Sequence, residues 1–383
     1  YRTEPRDYAA EGLLAGDYGP AVEGQRLAEY VIHPHAIDPA LTTVNGVGVT
    51  VDGTDGFLRY DAKEAIEPFG LISGFHSFRR TPDHSRQLGI AVWRFPTEQN
   101  AGSATQVLHD TLLSRYDVTD GLSLGPETSV ALPQVPGTLA STYRHEKSYL
   151  PGETHTVRTF TARGTFVIYT QVDETVTDDE DPDTTWATDT TVRAVQQQQV
   201  LLDRFPATAT EQIATLSIDV DKVLGRAVGF LDSEPAYYSD AAVYGPAGWL
   251  HFASHPARTR AVFKGTGTDR VAMLNSTVYR TGSDEGALTL RDEFAEITLE
   301  NYPDLIEDAS APQNVPGTTC WTGDVATGRM SVCLMVYGRY MAELSGRRPL
   351  DDISPDTLGT FPQRVAAQYT KFVRAEELGL GEN

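Results

Sequence analysis

The sequence predicts an α+β fold: two related domains, each an antiparallel β-sheet covered by α-helices. Three observations carry that prediction. A turn occurs twice, Val135-Pro136-Gly137-Thr138 opening one β-hairpin and Val315-Pro316-Gly317-Thr318 a second. Each turn is flanked alike. Upstream lies a strand ending in a Val-aromatic-Arg triplet (Val92-Trp93-Arg94, Val278-Tyr279-Arg280). Downstream lies a Gly-x-aromatic strand (Gly164-Thr165-Phe166-Val167, Gly338-Arg339-Tyr340-Met341). A Gln-containing helix closes each copy, and corresponding intervals differ by six residues throughout. Two long units of this kind indicate an internal duplication rather than a solenoid.

In chain order, residues 1–24 carry Pro5, Gly12, Gly16, Gly19 and Pro20 without periodicity, which suits a tether or surface strap. Residues 25–210 read as the first domain. Gln25 to Tyr30 is a helical turn, and Pro34 ends any helix and pushes His33 towards an extended conformation. Val47 to Leu58 is strand-like, and Asp61 can cap a short helix that stops at Pro68. Gly89 to Phe95 alternates as a strand, with Ile90, Val92 and Arg94 on one face. Thr97 caps a helix to about Tyr116 whose stripe is Ala104, Val107, Leu108, Thr111 and Leu112. Leu139 to Arg144 pairs with His155 to Ala162, and Gly164 to Val172 is rich in β-branched and aromatic residues. A helix from about Thr188 to Phe205 turns Val192, Val195, Leu202 and Phe205 inward.

Residues 211–236 read as a linker region and 237–383 as the second domain. Pro256 suits the first turn of a helix to Lys264. Ala272 to Arg280 is the matching strand, and Ser283 can cap a helix carrying Ala287, Leu290, Phe294 and Ile297. Phe361 to Leu378 is the closing helix.

Composition narrows the function classes. The 383-residue chain is long enough for two cores, and no window approaches the apolar length of a membrane span. A net charge of −22 speaks against a nucleic-acid partner, because phosphate neutralisation needs clustered Lys and Arg. It also speaks against adsorption to anionic lipid. Cys320 and Cys333, with Gly323 and Gly328 between them, sit on two strands joined by a turn. A disulfide is the favoured reading and two buried free thiols the alternative; a bridge implies an oxidising compartment and about 3 kcal/mol of loop-closure stabilisation. The chain starts at Tyr1 rather than Met, as expected of a processed or trimmed product.

Glu23-Gly24-Gln25-Arg26-Leu27-Ala28-Glu29-Tyr30 followed by Asp38-Pro39-Ala40-Leu41-Thr42 resembles the opening of an actinobacterial envelope-lipoprotein family of unknown function, whose members have an N-terminal and a C-terminal part. Pro316-Gly317, Cys320, Cys333 and Gly338-Arg339-Tyr340 also resemble mycobacterial PsbP-like sensor and lipoprotein domains. The resemblance implies export and a lipid anchor on a cysteine upstream of Tyr1. It supplies no catalytic residues, and the first copy departs from it where Ala140 takes the place of Cys320.

Candidate chemistry is sparse. His33 and His35 flank Pro34 without a third ligand nearby, and His251 and His255 straddle a helix start with no intervening Glu, so neither makes a metal motif. Gly121-Leu122-Ser123-Leu124-Gly125 matches G-x-S-x-G, but a nucleophile elbow needs a strand before it and a helix after, so Ser123 reads as a loop hydroxyl. His109 and Asp110 are adjacent on a helix and point apart. Asp173, Glu174, Asp178, Asp179, Glu180, Asp181 and Asp183 suggest a solvated acidic loop; Thr184 and Thr190 stand where an EF-hand needs Gly and Glu. Gly265-Thr266-Gly267-Thr268 lacks the rest of a phosphate loop. Tyr237, Tyr238 and Tyr244 could meet a glycan or partner, though packing is the commoner role.

No catalytic residue, metal or cofactor is therefore assigned. The expected function is a non-enzymatic, exported cell-envelope protein binding a small apolar ligand, a glycan or an envelope protein in the cleft between the copies. One alternative is an envelope serine hydrolase using Ser123 with His109; another is a structural subunit of an envelope assembly.

Overall fold

The computed structural model describes residues 1–51, 60–113, 121–176, 185–231, 241–308, 312, 314–349 and 355–380. It contains two antiparallel sheets. The first runs in the order β1 (Thr43–Thr50), β2 (Ser73–Arg80), β3 (Arg86–Arg94), β8 (Phe166–Val176), β7 (Leu150–Arg163), β6 (Thr138–Lys147) and β4 (Gly121–Ser123), with β5 (Thr128–Val130) also on β6. The second runs β9 (Ala242–Tyr244), β10 (Arg270–Met273), β11 (Thr277–Arg280), β15 (Tyr340–Arg348), β14 (Gly328–Tyr337), β13 (Thr318–Val325) and β12 (Ile306–Glu307). The two orders match strand for strand.

The duplicated motifs are the reason. Each Val-aromatic-Arg strand pairs with the Gly-x-aromatic strand of its own copy, Arg94 opposite Phe166 and Arg280 opposite Tyr340. The hairpin between them is thus forced outward as the next two strands. Gly137 and Gly317 take left-handed φ values of 82° and 69° after their prolines, as a turn with Gly in its third position requires. Each triplet arginine also ends on a carboxylate. Arg94 pairs with Glu23, and Arg280 reaches Asp221 at 3.1 Å and Asp269 at 2.8 Å.

Helices cover both faces of each sheet. In the first, α1 (Gly19–Leu27) and α2 (Pro34–Ile37) precede β1, and α3 (Tyr60–Ile66) follows it. Helix α4 (Glu98–Leu113) buries Ala101, Ala104, Leu108 and Leu112 against Trp93, Phe160, Val167 and Tyr169. The Thr97 hydroxyl accepts the Asn100 N–H at 3.0 Å and so caps that helix. Helix α5 (Thr185–Leu202) lies on the opposite face of β7 and β8. In the second sheet, α6 (Pro246–Trp249) and α7 (Pro256–Thr266) precede β10. Helix α8 (Asp284–Asn301), N-capped by Ser283, sets Phe294 edge-to-face against Tyr279 with ring centroids 5.1 Å apart. Helix α9 (Pro355–Glu377) buries Val365 and Phe372 among Ala272, Val278, Met335, Ala342 and the two cysteines.

Several local expectations are corrected. Ala272 to Arg280 is two strands, because Leu274 donates its N–H to the Ser276 carbonyl at 2.9 Å and reverses the chain. Pro34 starts a helical turn rather than ending one, since its missing N–H costs nothing at a first position; His33 is extended, at φ −76° and ψ 124°. The helical turn expected from Gln25 begins earlier, at Gly19, with Pro20 in its first turn. Asp173 and Glu174 belong to strand β8 and are buried, so they are no part of a solvated loop. Ser123 ends a short strand where a loop was expected.

Against the expected partition of 1–24, 25–210, 211–236 and 237–383, contacts group the chain into a first unit, residues 17–214 with 247–256, and a second, residues 1–16, 215–246 and 257–383. Residues 1–16 are held in the second unit by backbone bonds, Arg6 N–H to Gly225 O at 3.1 Å and Ala15 N–H to Leu216 O at 2.8 Å. Gly225 is required there, because a Cβ would sit 1.9 Å from the Arg6 carbonyl oxygen.

Cys320 and Cys333 are register partners across β13 and β14 and are joined by a disulfide, their Cα atoms 4.1 Å apart. The corresponding pair in the first unit is Ala140 and Thr159, where the Thr159 hydroxyl bonds to Thr170 at 2.6 Å instead. Both sulfurs are buried, so reductant alone should leave the native second unit intact. With urea present, reduction should lower its stability by about 3 kcal/mol, which Trp321 fluorescence can follow. A midpoint unchanged by reduction would show that the bridge does not constrain the unfolded chain.

The two arginine–carboxylate pairs should differ. Glu23 is 1 % exposed and Asp221 is 42 % exposed. Glu23→Ala should therefore cost about 3–5 kcal/mol, by leaving Arg94 buried and unpaired, whereas Asp221→Ala should cost under about 1 kcal/mol. Urea titration of the two variants checks the order.

Candidate functional site

Three places in the first unit gather polar or ligand-sized features. One is a cleft of about 570 Å³ bounded by β5, the chain on either side of it, and the neighbouring residues of β6 and β7. Its walls are Leu124, Pro126, Val130, Leu132 and Val157, with Thr128, Thr142 and Thr188 as scattered hydroxyls. Arg144 and His155 line it too, and both contact the Glu153 carboxylate, at 3.0 and 2.6 Å. Pairing in β6 and β7 places them together, Arg144 being opposite His155. Of the apolar walls, Leu124, Pro126, Val130 and Leu132 come from a turn-rich stretch in which no strand or helix was read, which is why sequence reasoning did not mark them.

The second place is a buried polar network on the face of the sheet that carries α4. Asp173 accepts from Lys147 at 3.0 Å, Thr156 at 2.9 Å and Gln171 at 3.1 Å. Burial pushes its carboxyl up, but the charges of Lys147 and His145 and these hydrogen bonds outweigh that and hold it below the ordinary range. Beside it Arg158 pairs with Glu127 at 2.8 Å and reaches the Tyr143 hydroxyl at 2.8 Å. Every formal charge here meets an opposite one, so the network holds the sheet together rather than presenting a free group.

The third place joins two histidine candidates that lie far apart in sequence. His33 and His251 stack with ring centroids 5.0 Å apart, and the Phe75 ring sits 5.0 Å from His251. His33 Nδ1 accepts the His35 N–H at 3.2 Å, so Nε2 carries the proton and donates to Leu250 O at 2.8 Å. With both nitrogens committed, His33 has none left for a metal. Among the described residues no group of three or more His, Cys, Asp or Glu is placed to hold one. Arg79, fully buried, donates to the carbonyls of Thr42, Leu250, His251 and Ala253. Glu29 accepts from the amides of Ala247 and Gly248. Charged side chains of the first unit thus hold residues 247–253 of the segment 247–256 that groups with it. His255 lies just before α7.

The remaining candidates are dispersed. Ser123 Oγ donates to Gly125 O at 2.8 Å, while His109 makes contacts of 3.4 Å with Ala140 O and Asp110. Each has its own partners, and no helix follows β4 to make a nucleophile elbow. Asp178, Asp179, Glu180, Asp181, Asp183, Tyr237 and Tyr238 lie outside the described residues. Tyr244 is buried in β9.

Comparison with known proteins follows this two-part layout. One family model, the N-terminal domain of unknown function DUF7373, matches residues 13–218, and its C-terminal counterpart matches residues 223–375. The chain belongs to the DUF7373 family. No curated protein matches it. Among solved structures, the extracellular domain of PknH from Mycobacterium tuberculosis is similar at 12 % identity and a TM-score of 0.34, over 47 % of this chain and 97 % of that one. An uncharacterized Mycobacterium smegmatis protein, the Rv0999 ortholog, is similar at 14 % identity and a TM-score of 0.26, over 47 % of this chain and 99 % of that one. At such scores neither likeness carries the DUF7373 chain's function.

Acid should loosen the first unit of this DUF7373 protein. Burial lowers the pKa of His33 to about 2, of His251 to about 3 and of His76 to about 4. The unfolded chain, with histidines near 6.5, binds protons that the folded unit refuses, so stability present above about pH 6.5 is lost as pH falls. The slope should reach roughly 4 kcal/mol per pH unit below about pH 6, each histidine contributing about 1.4. Urea midpoints read through Trp93, Trp186 and Trp249 should fall between pH 7 and pH 5. A level midpoint would mean that these rings become charged in place.

Proposed function

We propose that this DUF7373 chain is a non-catalytic, extracytoplasmic binding protein whose first-unit cleft takes a small, largely apolar ligand. The observation that carries the reading is the cleft itself: about 570 Å³ of space with aliphatic walls and a few converging polar groups, the usual make-up of a small-molecule site. The bridge between Cys320 and Cys333 supports an oxidising compartment. Attachment to the cell envelope through a lipid on an upstream cysteine is part of the same proposal and rests on the sequence resemblance. A net charge of −22 favours a ligand without a large anionic surface. The hydrolase reading is not favoured, because the Ser123 hydroxyl is turned onto its own loop.

Native mass spectrometry of the protein purified from its source should reveal a co-purifying mass below about 1 kDa, the range such a cavity encloses. Leu124→Trp, which fills the cleft at a half-buried position, should abolish both that mass and the binding of an apolar fluorescent probe. An equal mass and equal probe binding in wild type and variant would remove the cleft as the site. A co-purifying protein in place of a small molecule would turn the reading towards an envelope assembly.

A further inference from the structure

The polar part of the first-unit cleft is fixed by strand register. Arg144 and His155 stand opposite each other on β6 and β7, and both line the cleft. Arg144 Nε lies 3.0 Å and His155 Nε2 lies 2.6 Å from the same oxygen, Oε1 of Glu153. The guanidinium is thus anchored through Nε, while its two terminal nitrogens have no hydrogen-bond partner among the described residues. The lining hydroxyls are partly committed: Thr142 Oγ1 donates to Thr156 O at 3.0 Å and Thr128 Oγ1 to Thr142 O at 3.4 Å. Among the described lining residues there is no Asp or Glu. The wall therefore offers N–H donors and no carboxylate.

The charges around Arg144 decide what those donors can take. Glu146 stands two residues on in β6, on the same face of the strand, and is the register partner of Glu153. Glu174, opposite His155 in β8, is matched by Arg86 at 2.8 Å, and Glu127 is matched by Arg158 at 2.8 Å. Asp189 follows the lining residue Thr188 in α5. Even a charged His155 would only bring Arg144 and His155 level with Glu146 and Glu153. An anionic ligand thus meets no surplus of positive charge, and a cationic one meets no carboxylate on the wall. An uncharged oxygen acceptor fits both constraints, because a guanidinium paired through Nε still donates its remaining N–H groups.

We propose that the ligand of this cleft is an uncharged amphiphile, an ester, amide or ketone, whose carbonyl oxygen is taken by the terminal N–H groups of Arg144. Its hydrocarbon part lies against Leu124, Val130, Leu132 and Val157. Glu153 and His155 are positioning residues: Glu153 holds the guanidinium and offsets its charge, and His155 holds Glu153. This selectivity presupposes that the cleft is the ligand site and adds the class of ligand it selects.

The test is displacement of an apolar fluorescent probe from the whole chain, near neutral pH, by methyl octanoate, sodium octanoate, octylamine and nonane. In wild type the ester should bind more tightly than octanoate and octylamine. Arg144→Met, which keeps an apolar stem, should weaken the ester roughly tenfold, the effect of one hydrogen bond to a charged group, and leave nonane unchanged. Glu153→Gln keeps an acceptor for Arg144 but removes the offsetting charge. Octanoate should then gain roughly fivefold or more relative to the ester, and added salt should shrink that gain. Arg144 and Glu153 are 54 % and 31 % exposed, so both variants should fold. Equal ester affinity in wild type and Arg144→Met overturns the proposal and leaves the cleft an apolar site. Tighter binding of octanoate or octylamine than of the ester in wild type also overturns it and assigns a charged ligand. If none of the four compounds displaces the probe, the cleft falls as the ligand site and the proposal falls with it.

Discussion

The structure depends on one repeated pairing: the strand carrying the Val-aromatic-Arg triplet hydrogen-bonds to the return strand that follows the hairpin. Once β3 pairs with β8 and β11 with β15, the hairpin strands must lie on the far side of the return strand. The helix between triplet and hairpin is then left on one face, and the closing helix covers the other. Each sheet thereby gains two covered faces, which explains why nearly every residue of β3 and β8 is buried rather than every second one.

Burying so much of a Thr-rich sheet would be costly if its polar groups were left alone, and many of them are paired. Thr154 meets Thr175, Thr159 meets Thr170, and Asp173 meets Lys147. Arg79 is the unusual case: it is wholly buried, yet its partners are carbonyl oxygens of residues 250, 251 and 253 together with Thr42. Those carbonyls stand where a carboxylate normally would. The first unit thus captures a ten-residue segment whose chain neighbours belong to the second unit, through dipoles rather than ion pairs.

The two copies have diverged in what they do with equivalent positions. Where the second unit crosslinks Cys320 to Cys333, the first carries Ala140 and Thr159 and relies on hydroxyl pairs. Where the first unit binds its triplet arginine to the buried Glu23, the second uses the half-exposed Asp221 and Asp269. The open cleft described above lies in the first unit. Duplication has kept the frame and freed its surfaces and pockets to differ.

Period, turn chemistry and repeated motifs were enough to determine the α+β class, the duplication, the caps at Thr97 and Ser283 and the strands that hold the cysteines. Those features are local, or repeat at fixed spacing, and local rules write them into the chain. What only the tertiary structure decided involves residues brought together from far apart. His33 meets His251, and Arg79 takes hold of residues 250–253, although nothing in either stretch refers to the other. Most of the cleft's apolar walls come from a turn-rich segment in which no strand or helix was read, and its Arg144–His155 neighbourhood follows from strand register. Charge state followed the same division: Asp173 reads as part of a solvated acidic run until the pleat of β8 carries it inside to Lys147. Burial and partner choice are properties of the packed chain, and no single stretch of sequence encodes them.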